Sequence, residues 1–329
     1  MRRPWLAPLI PLYRLALAVR ELRLHSGLEP IRRLRYPVVS IGNLSTGGSG
    51  KTPLTIALAQ ALATRGLRVD ILSRGYGRKS KLAARINPDG VADDYGDEPL
   101  LITRETSLPV YVASQRYDAG LLAEAEILSI SEKNRLPVVH LLDDGFQHRQ
   151  LARAVDILLL SLRDCQDCLL PVGNLREPLR AIRRAGVIAI PAGEPELENT
   201  LQALGWQGPI WRLRRTMEIP AVSGPVAAFC GIARPQQFFA GLEASSIHLA
   251  FRVAYPDHHR YTARGLDRLI AAARAARAAA LITTEKDRVR MGNLASVFPA
   301  SLPLTTARLQ IEIEDQAAPI DWLIHRLSS

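Results

Sequence analysis

Gly50-Lys51-Thr52 is the triplet with the clearest chemistry in this chain. It follows an apolar run, Val38 to Ile41, that reads as a buried strand, and a loop of small residues, Ser45-Thr46-Gly47-Gly48-Ser49. Pro53 stands where a helix would begin, because its missing N–H costs nothing at a first helical position. Strand, Gly-rich loop, Gly-Lys-Thr and helix is the arrangement of a phosphate-binding loop. Gly47, Gly48 and Gly50 let backbone N–H groups turn inward around a phosphate. Lys51, expected as a solvated loop residue without ligand, reaches the outer phosphates, and the Thr52 hydroxyl can take a Mg²⁺ position. The helix N-terminus adds its positive end. Ser45 departs from the usual pattern, which opens with glycine at that place.

Five further groups could act on such a nucleotide. Asp143-Asp144 follows an apolar run, Leu136 to Leu142, at the C-terminal end of a strand, where the second acidic element of P-loop enzymes holds Mg²⁺. Asp97-Glu98 lies in a loop between Gly96 and Pro99, and Asp257-His258-His259 in another; each alone reads as a surface turn. Arg74, in Ser-Arg-Gly-Tyr-Gly-Arg after a strand, is a candidate anion clamp. Arg176-Glu177-Pro178 has similar loop character.

The elements that must position these residues alternate. A helix over 53–65 ends at Gly66, a strand over 67–72 leads into Arg74, and residues 79–98 form a loop or small hairpin. A helix over 115–134 precedes the strand that ends at Asp143, and 155–161 and 187–190 are two more strands. Strands alternating with helices predict an α/β fold with a mostly parallel sheet. After Pro209 the pattern restarts, with strands over 225–232, 247–254 and 279–284, a helix over 262–278 and a last helix over 316–327. At 329 residues the chain is long for one core, and two domains are the natural expectation. The division is a membrane-interface segment 1–25, a core domain 26–215 and a smaller α/β domain 216–329.

Residues 1–20 are apolar with basic flanks, but the run is shorter than a bilayer span and Arg14 interrupts it. Trp5, Tyr13 and the arginines suit a segment lying in the headgroup interface. Lys+Arg number 42 against 32 Asp+Glu, a net charge of +10. That balance fits an anionic membrane surface or a phosphorylated substrate. Aromatics are only 5% and do not interleave with basic residues, which disfavours nucleic acid. Cys165, Cys168 and Cys230 are too few for a disulfide framework. The Cys-x-x-Cys spacing lacks the second pair of a zinc site.

Taken in order, these pieces resemble the tetraacyldisaccharide 4′-kinases, the lipid A 4′-kinases of Gram-negative bacteria. The resemblance rests on residues 42–53, Ser73 to Gly77, Gly96-Asp97-Glu98-Pro99, Asp143 to His148, Leu175 to Pro178, Asp257-His258 and Thr284 to Asp287. Ser45 in place of glycine also looks like that family. The resemblance implies transfer of the ATP γ-phosphoryl group to the 4′-hydroxyl of a tetraacyldisaccharide 1-phosphate, at the cytoplasmic face of the inner membrane. On this reading residues 45–52 hold ATP, and Lys51 and Arg74 neutralise charge developing on the phosphates. Thr52, Asp143, Asp144 and Glu177 are the candidate Mg²⁺ shell. Asp97, oriented by His258, activates the hydroxyl. A monomer is expected. The rival classes are a P-loop GTPase or ATPase switch and a nucleotide-gated membrane adaptor. A guanine reader needs Asn/Thr-Lys-x-Asp, and Thr284-Glu285-Lys286-Asp287 fails that spacing.

Overall fold

The computed structural model describes residues 3–48, 50–129 and 136–328. Among them, twelve strands form one continuous sheet. In chain order these are β1 (Val38–Asn43), β2 (Arg68–Ser73), β3 (Ala84–Arg85), β4 (Val110–Val112), β5 (Val138–Asp143) and β6 (Val155–Leu159). They continue with β7 (Val187–Pro191), β8 (Ile210–Glu218), β9 (Val226–Cys230), β10 (Leu249–Ala254), β11 (Ala280–Thr284) and β12 (Leu304–Ile313). The spatial order is β10-β9-β11-β12-β8-β7-β6-β1-β5-β2-β4-β3, and the pairings are parallel except β8 with β12 and β3 with β4. The central strands β1 and β5 are buried along their whole length. Such strands carry continuous apolar runs because helices cover both faces of a parallel sheet.

The antiparallel ribbon of β8 and β12 joins the two sets of strands. Its register runs from Arg308 opposite Glu218 to Ile313 opposite Leu213. The division between residues 215 and 216 falls inside β8. The last helix, Ala317–Ser328, returns to the first half. Its Ile320 and Leu323 are buried in the same core as Leu54 and Leu58 of the helix after the phosphate-binding loop. A separate core lies under β9 and β11, around Phe229, Leu266 and Leu281.

Two differences from the sequence expectations bear on the site. Asp97 and Glu98 are not in a loop. They open a helix, Asp97–Thr106, with Gly96 as its cap at φ 92°. Acidic residues in a first turn are favoured by the helix dipole, and Pro99 is tolerated there because the first N–H groups lack intrahelical partners. The helix after the phosphate-binding loop begins at Lys51, two residues before Pro53. The helix expected over 115–134 runs Arg116–Leu128, and its predicted end lies outside the described residues.

Candidate active site

The parallel strands deliver their C-terminal ends to one cleft, of about 1050 Å³. The phosphate-binding loop follows β1, Arg74 follows β2, and Asp143-Asp144 ends β5. From the other half come Ala233 and Arg234 after β9, Asp257 and His258 after β10, and Lys286 after β11. Of the residues named from sequence, Thr46, Gly47, Gly48, Gly50, Lys51, Thr52, Arg74, Asp97, Asp143, Asp144 and His258 all line this cleft. Ser49 lies outside the described residues.

The loop is shaped by a few specific contacts. Gly50 adopts φ 94°, and a Cβ there would collide with the Arg215 guanidinium, so only glycine fits without strain. Asn43 Nδ2 donates to Ser45 O at 2.8 Å and to Ser45 Oγ at 3.2 Å. Ser45 is buried at the loop's first turn, where its hydroxyl has a use that a glycine could not supply. The loop is also tied to the segment before Glu177, through Thr46 N to Asn174 O at 2.8 Å and Arg176 N to Leu44 O at 2.7 Å.

Lys51 is held, not solvated. Its side chain is 12% exposed, and Nζ donates to Asn43 Oδ1 at 3.0 Å and lies 3.4 Å from Asp144 Oδ1. The expectation of a free loop lysine missed Asn43, whose partner is eight residues away round the loop. Asp144, at φ 49°, also accepts from Arg176 Nη1 at 3.2 Å. Burial works against its charge, and the Lys51 and Arg176 cations overcome that and keep its carboxyl below the usual range. Asp143 is in the opposite position. It accepts from Thr55 Oγ1 at 3.2 Å. Burial first, and then the charges of Glu98 and Asp144, push its carboxyl well above the ordinary carboxylate range. A buried carboxylate disfavoured in this way gains from a cation. Among the described residues no group of three His, Cys, Asp or Glu side chains has metal-binding geometry. Mg²⁺ is commonly bound through one or two carboxylates plus substrate phosphates, and the hard oxygens of Thr52, Asp143 and Asp144 fit that pattern.

Glu177 is not brought into this set. It is buried, with Oε2 2.7 Å from Arg184 Nη1, and it does not line the cleft. Its Oε1 is buried without a hydrogen-bond partner.

Asp97 and His258 do meet across the cleft, with His258 Nδ1 3.2 Å from Asp97 Oδ2. Asp97 is 6% exposed, and its Oδ1 accepts from the Glu98 backbone N–H at 2.9 Å. Burial opposes its charge, but the His258 hydrogen bond and the Arg290 and Lys286 cations hold its carboxyl far below the usual range. The same hydrogen bond raises His258. Tyr76 lies against the His258 ring, centroids 5.2 Å apart. His259 points elsewhere, stacked on Tyr255 at 4.3 Å and edge-on to Tyr261 at 4.9 Å.

Sequence reasoning missed several cleft residues. Arg116 is 8% exposed at a helix start and lowered to about 10 by burial and by Arg74, so it stays cationic. His148 is lowered to about 3 by burial and neighbouring arginines and stays neutral. Arg215 and Arg234 approach from β8 and from the loop after β9. A lone arginine in a helix or strand carries no spacing signal. Cys165 and Cys168 are both free, and burial pushes Cys165 up to about 11.

A strand–loop–helix phosphate cradle, paired acidic residues at the neighbouring strand end and a carboxylate–histidine pair facing them define a P-loop phosphotransferase. A profile of the family described as Tetraacyldisaccharide-1-P 4′-kinase matches residues 2–328, and the chain belongs to that family. It is 38% identical over 328 residues to the tetraacyldisaccharide 4′-kinase of Koribacter versatilis, covering 96% of this chain and 97% of that protein. It is 37% identical over 303 residues to the one from Neisseria meningitidis, covering 88% and 83%. The crystal structure of the "apo" form of LpxK from Aquifex aeolicus in complex with ATP superposes with a TM-score of 0.75 at 30% identity, covering 98% of each chain.

Proposed function

We propose that this enzyme transfers the γ-phosphoryl group of ATP to the 4′-hydroxyl of a tetraacyldisaccharide 1-phosphate, a step of lipid A biosynthesis. The observation that carries this reading is the Asp97–His258 pair, which lines the same cleft as the phosphate-binding loop, Asp97 from the loop's own half and His258 from the other. The acceptor hydroxyl gives its proton to Asp97 as its oxygen attacks the γ-phosphorus, and the bond to the β–γ bridging oxygen breaks to release ADP. His258 orients the carboxylate. Lys51, held between Asn43 and Asp144, is positioned to neutralise charge on the outer phosphates, and Arg74 and Arg116 supply cations on the β2 side. Thr52, Asp143 and Asp144 would hold Mg²⁺. The ion, when bound, neutralises charge on the β- and γ-oxygens.

The chain works as two lobes. Residues 26–215 carry the phosphate-binding loop and Asp97, and 216–329 carry His258, behind the interface segment 1–25. No helix among the described residues is long and apolar enough to cross a membrane. The helix Ile10–His25 and the turn before it present Trp5, Leu12, Leu15, Val19 and Leu22 as exposed apolar groups, while Tyr13 and Leu17 pack inward. That stripe supports peripheral binding at the cytoplasmic face of the inner membrane, as a monomer, where an acylated substrate is met.

The test is transfer of label from γ-labelled ATP to the disaccharide 1-phosphate in mixed micelles, beside a lipid-free control. Labelled lipid with little hydrolysis in the control is expected. Equal ATP hydrolysis with and without lipid, and no labelled lipid, refutes the reading.

A further inference from the structure

The Asp97 carboxylate has a third partner that neither the motif order nor the pairing with His258 accounts for. Arg290 stands at the end of the helix Glu285–Met291, in the lobe opposite Asp97. Its Nε donates to Asp97 Oδ2 at 2.6 Å, closer than His258 Nδ1 approaches the same oxygen at 3.2 Å. Its Nη1 donates to Asp287 Oδ1 at 3.1 Å and to the Gly231 carbonyl. Its Nη2 lies 3.3 Å from His258 Nδ1. The side chain is 7% exposed, so these contacts are made largely away from water.

The anchor of this guanidinium is rigid. Asp287 is fully buried and accepts from Gly231 N at 3.0 and 3.1 Å, from Tyr261 Oη at 2.9 Å and from Thr284 Oγ1 at 2.6 Å. His258 is tied to the same point, because its backbone N–H also donates to the Gly231 carbonyl, at 3.1 Å. By itself His258 is weakly placed. It is 39% exposed and sits at φ 57°, a region that non-glycine residues occupy rarely. A half-exposed ring on a strained loop orients a buried carboxylate only weakly by itself. A buried arginine with three neighbours in fixed positions orients it more firmly, because its planar fork loses little freedom per hydrogen bond.

The placement also selects a tautomer. Nδ1 of His258 lies between a carboxylate oxygen, which wants a proton there, and an arginine N–H, which wants a lone pair. With Arg290 Nε keeping a negative charge on Asp97, the proton on Nδ1 points to Asp97 and the lone pair sits on Nε2. We propose that Arg290 is a positioning residue for phosphoryl transfer: anchored on Asp287, it holds Asp97 and His258 together across the cleft as one proton-accepting unit. The inference rests on the assignment of Asp97 above.

The charged groups facing Asp97 are Arg290 and Lys286 on the helix Glu285–Met291, His258 and Asp257 on the loop after β10, and Glu98 on its own helix. Removing the Arg290 cation raises the pH at which Asp97 ionises. It raises His258 as well, since Arg290 lowers that group. Both changes move the acid limb of the rate profile to higher pH.

The experiment is a set of pH profiles of kcat and kcat/KM for the full-length enzyme and its Arg290→Ala, Arg290→Gln and Arg290→Lys variants, with KM for ATP and thermal midpoints. Arg290→Ala and Arg290→Gln are expected to lower kcat about tenfold or more, to leave KM for ATP within about twofold, and to move the acid limb up by roughly one pH unit. Arg290→Lys, which keeps the charge, should restore the limb position and part of kcat. Arg290→Gln keeps a donor for Asp287, so it reports even where alanine fails to fold. A limb that stays in place in the alanine and glutamine variants, or a lysine variant no better than glutamine, overturns the inference. Asp97→Asn separates the two claims. If it keeps near-normal turnover with an intact acid limb, the assignment of Asp97 itself is wrong. If it is inactive while the Arg290 variants leave the limb unmoved, only the role of Arg290 is wrong.

Discussion

Replacing Lys51 by alanine removes a cation from the place where the outer phosphates bind, and the structure allows the effects on rate and on folding to be separated. Charge-stabilising groups of this kind contribute on the order of 10²–10³ in kcat, which is about 2.7–4 kcal/mol of transition-state stabilisation. The folding cost has two parts. The pair with Asp144 is partly screened, with side chains 12% and 32% exposed, and Arg176 remains on the same carboxylate, so its loss costs about 1 kcal/mol or less. Asn43 is fully buried, and its Oδ1 loses the Lys51 donor. Leaving a buried acceptor unsatisfied costs about 1–3 kcal/mol. For a chain of this length the sum lowers the thermal midpoint by roughly 2–5 °C, since the unfolding entropy scales with size. The assay is kcat and KM for ATP with lipid acceptor, beside differential scanning calorimetry of the ligand-free protein. A variant that folds with a small midpoint loss but retains most of its kcat refutes the phosphate-binding role of Lys51. A variant that loses activity only because it unfolds at the assay temperature refutes the partition made here.

Asp143→Asn should raise the Mg²⁺ concentration needed for half-maximal rate about tenfold or more, yet leave the ligand-free protein as stable or more stable, because the buried carboxylate is disfavoured by Glu98 and Asp144; Mg²⁺ titration of the rate and a melting curve in chelator check both halves. Leu12→Glu with Leu15→Glu should reduce sedimentation with anionic liposomes and the use of lipid acceptor, while leaving ATP binding within about twofold. This pair is a sharper probe than deleting residues 1–20, since deletion also removes the Tyr13 hydrogen bond to the Arg176 carbonyl and the Arg20 contact with the Gln147 carbonyl. Unchanged sedimentation means that another surface docks.

The nucleotide half of the site could be read in the sequence because its parts are local. Strand, glycines, Lys51 and Thr52 span fifteen residues, 38–52, and the carboxylates of Asp143 and Asp144 sit at the end of an apolar run. The architecture was less legible. β8 and β12 are a half-exposed ribbon in which apolar and polar residues alternate, as in Leu309-Gln310-Ile311-Glu312-Ile313. A search for buried apolar runs passes over such strands, although their period of two marks them. The helix beginning at Asp97 was missed because Gly96 and Pro99 read as loop punctuation. In a helix they are a cap and a third-position proline. Arg290 lies 193 residues from Asp97, and only the fold brings them together. Lys286, to which no role was assigned from sequence, pairs with Glu98 between the same two helices.

The central claim is that Asp97 and His258 act together as the proton acceptor across the cleft, and a double-mutant cycle tests it most directly. Asp97→Ala, His258→Ala and the double variant are compared for kcat with saturating ATP and lipid. His259→Ala serves as the control, because His259 is stacked on Tyr255 and edge-on to Tyr261 and has no contact with Asp97. Each single change should cut kcat strongly with little effect on KM for ATP. The double variant should be scarcely worse than the poorer single, as for groups that act as one unit, and His259→Ala should be milder than His258→Ala. Fully multiplicative losses, or a His259 variant worse than the His258 variant, contradict the account.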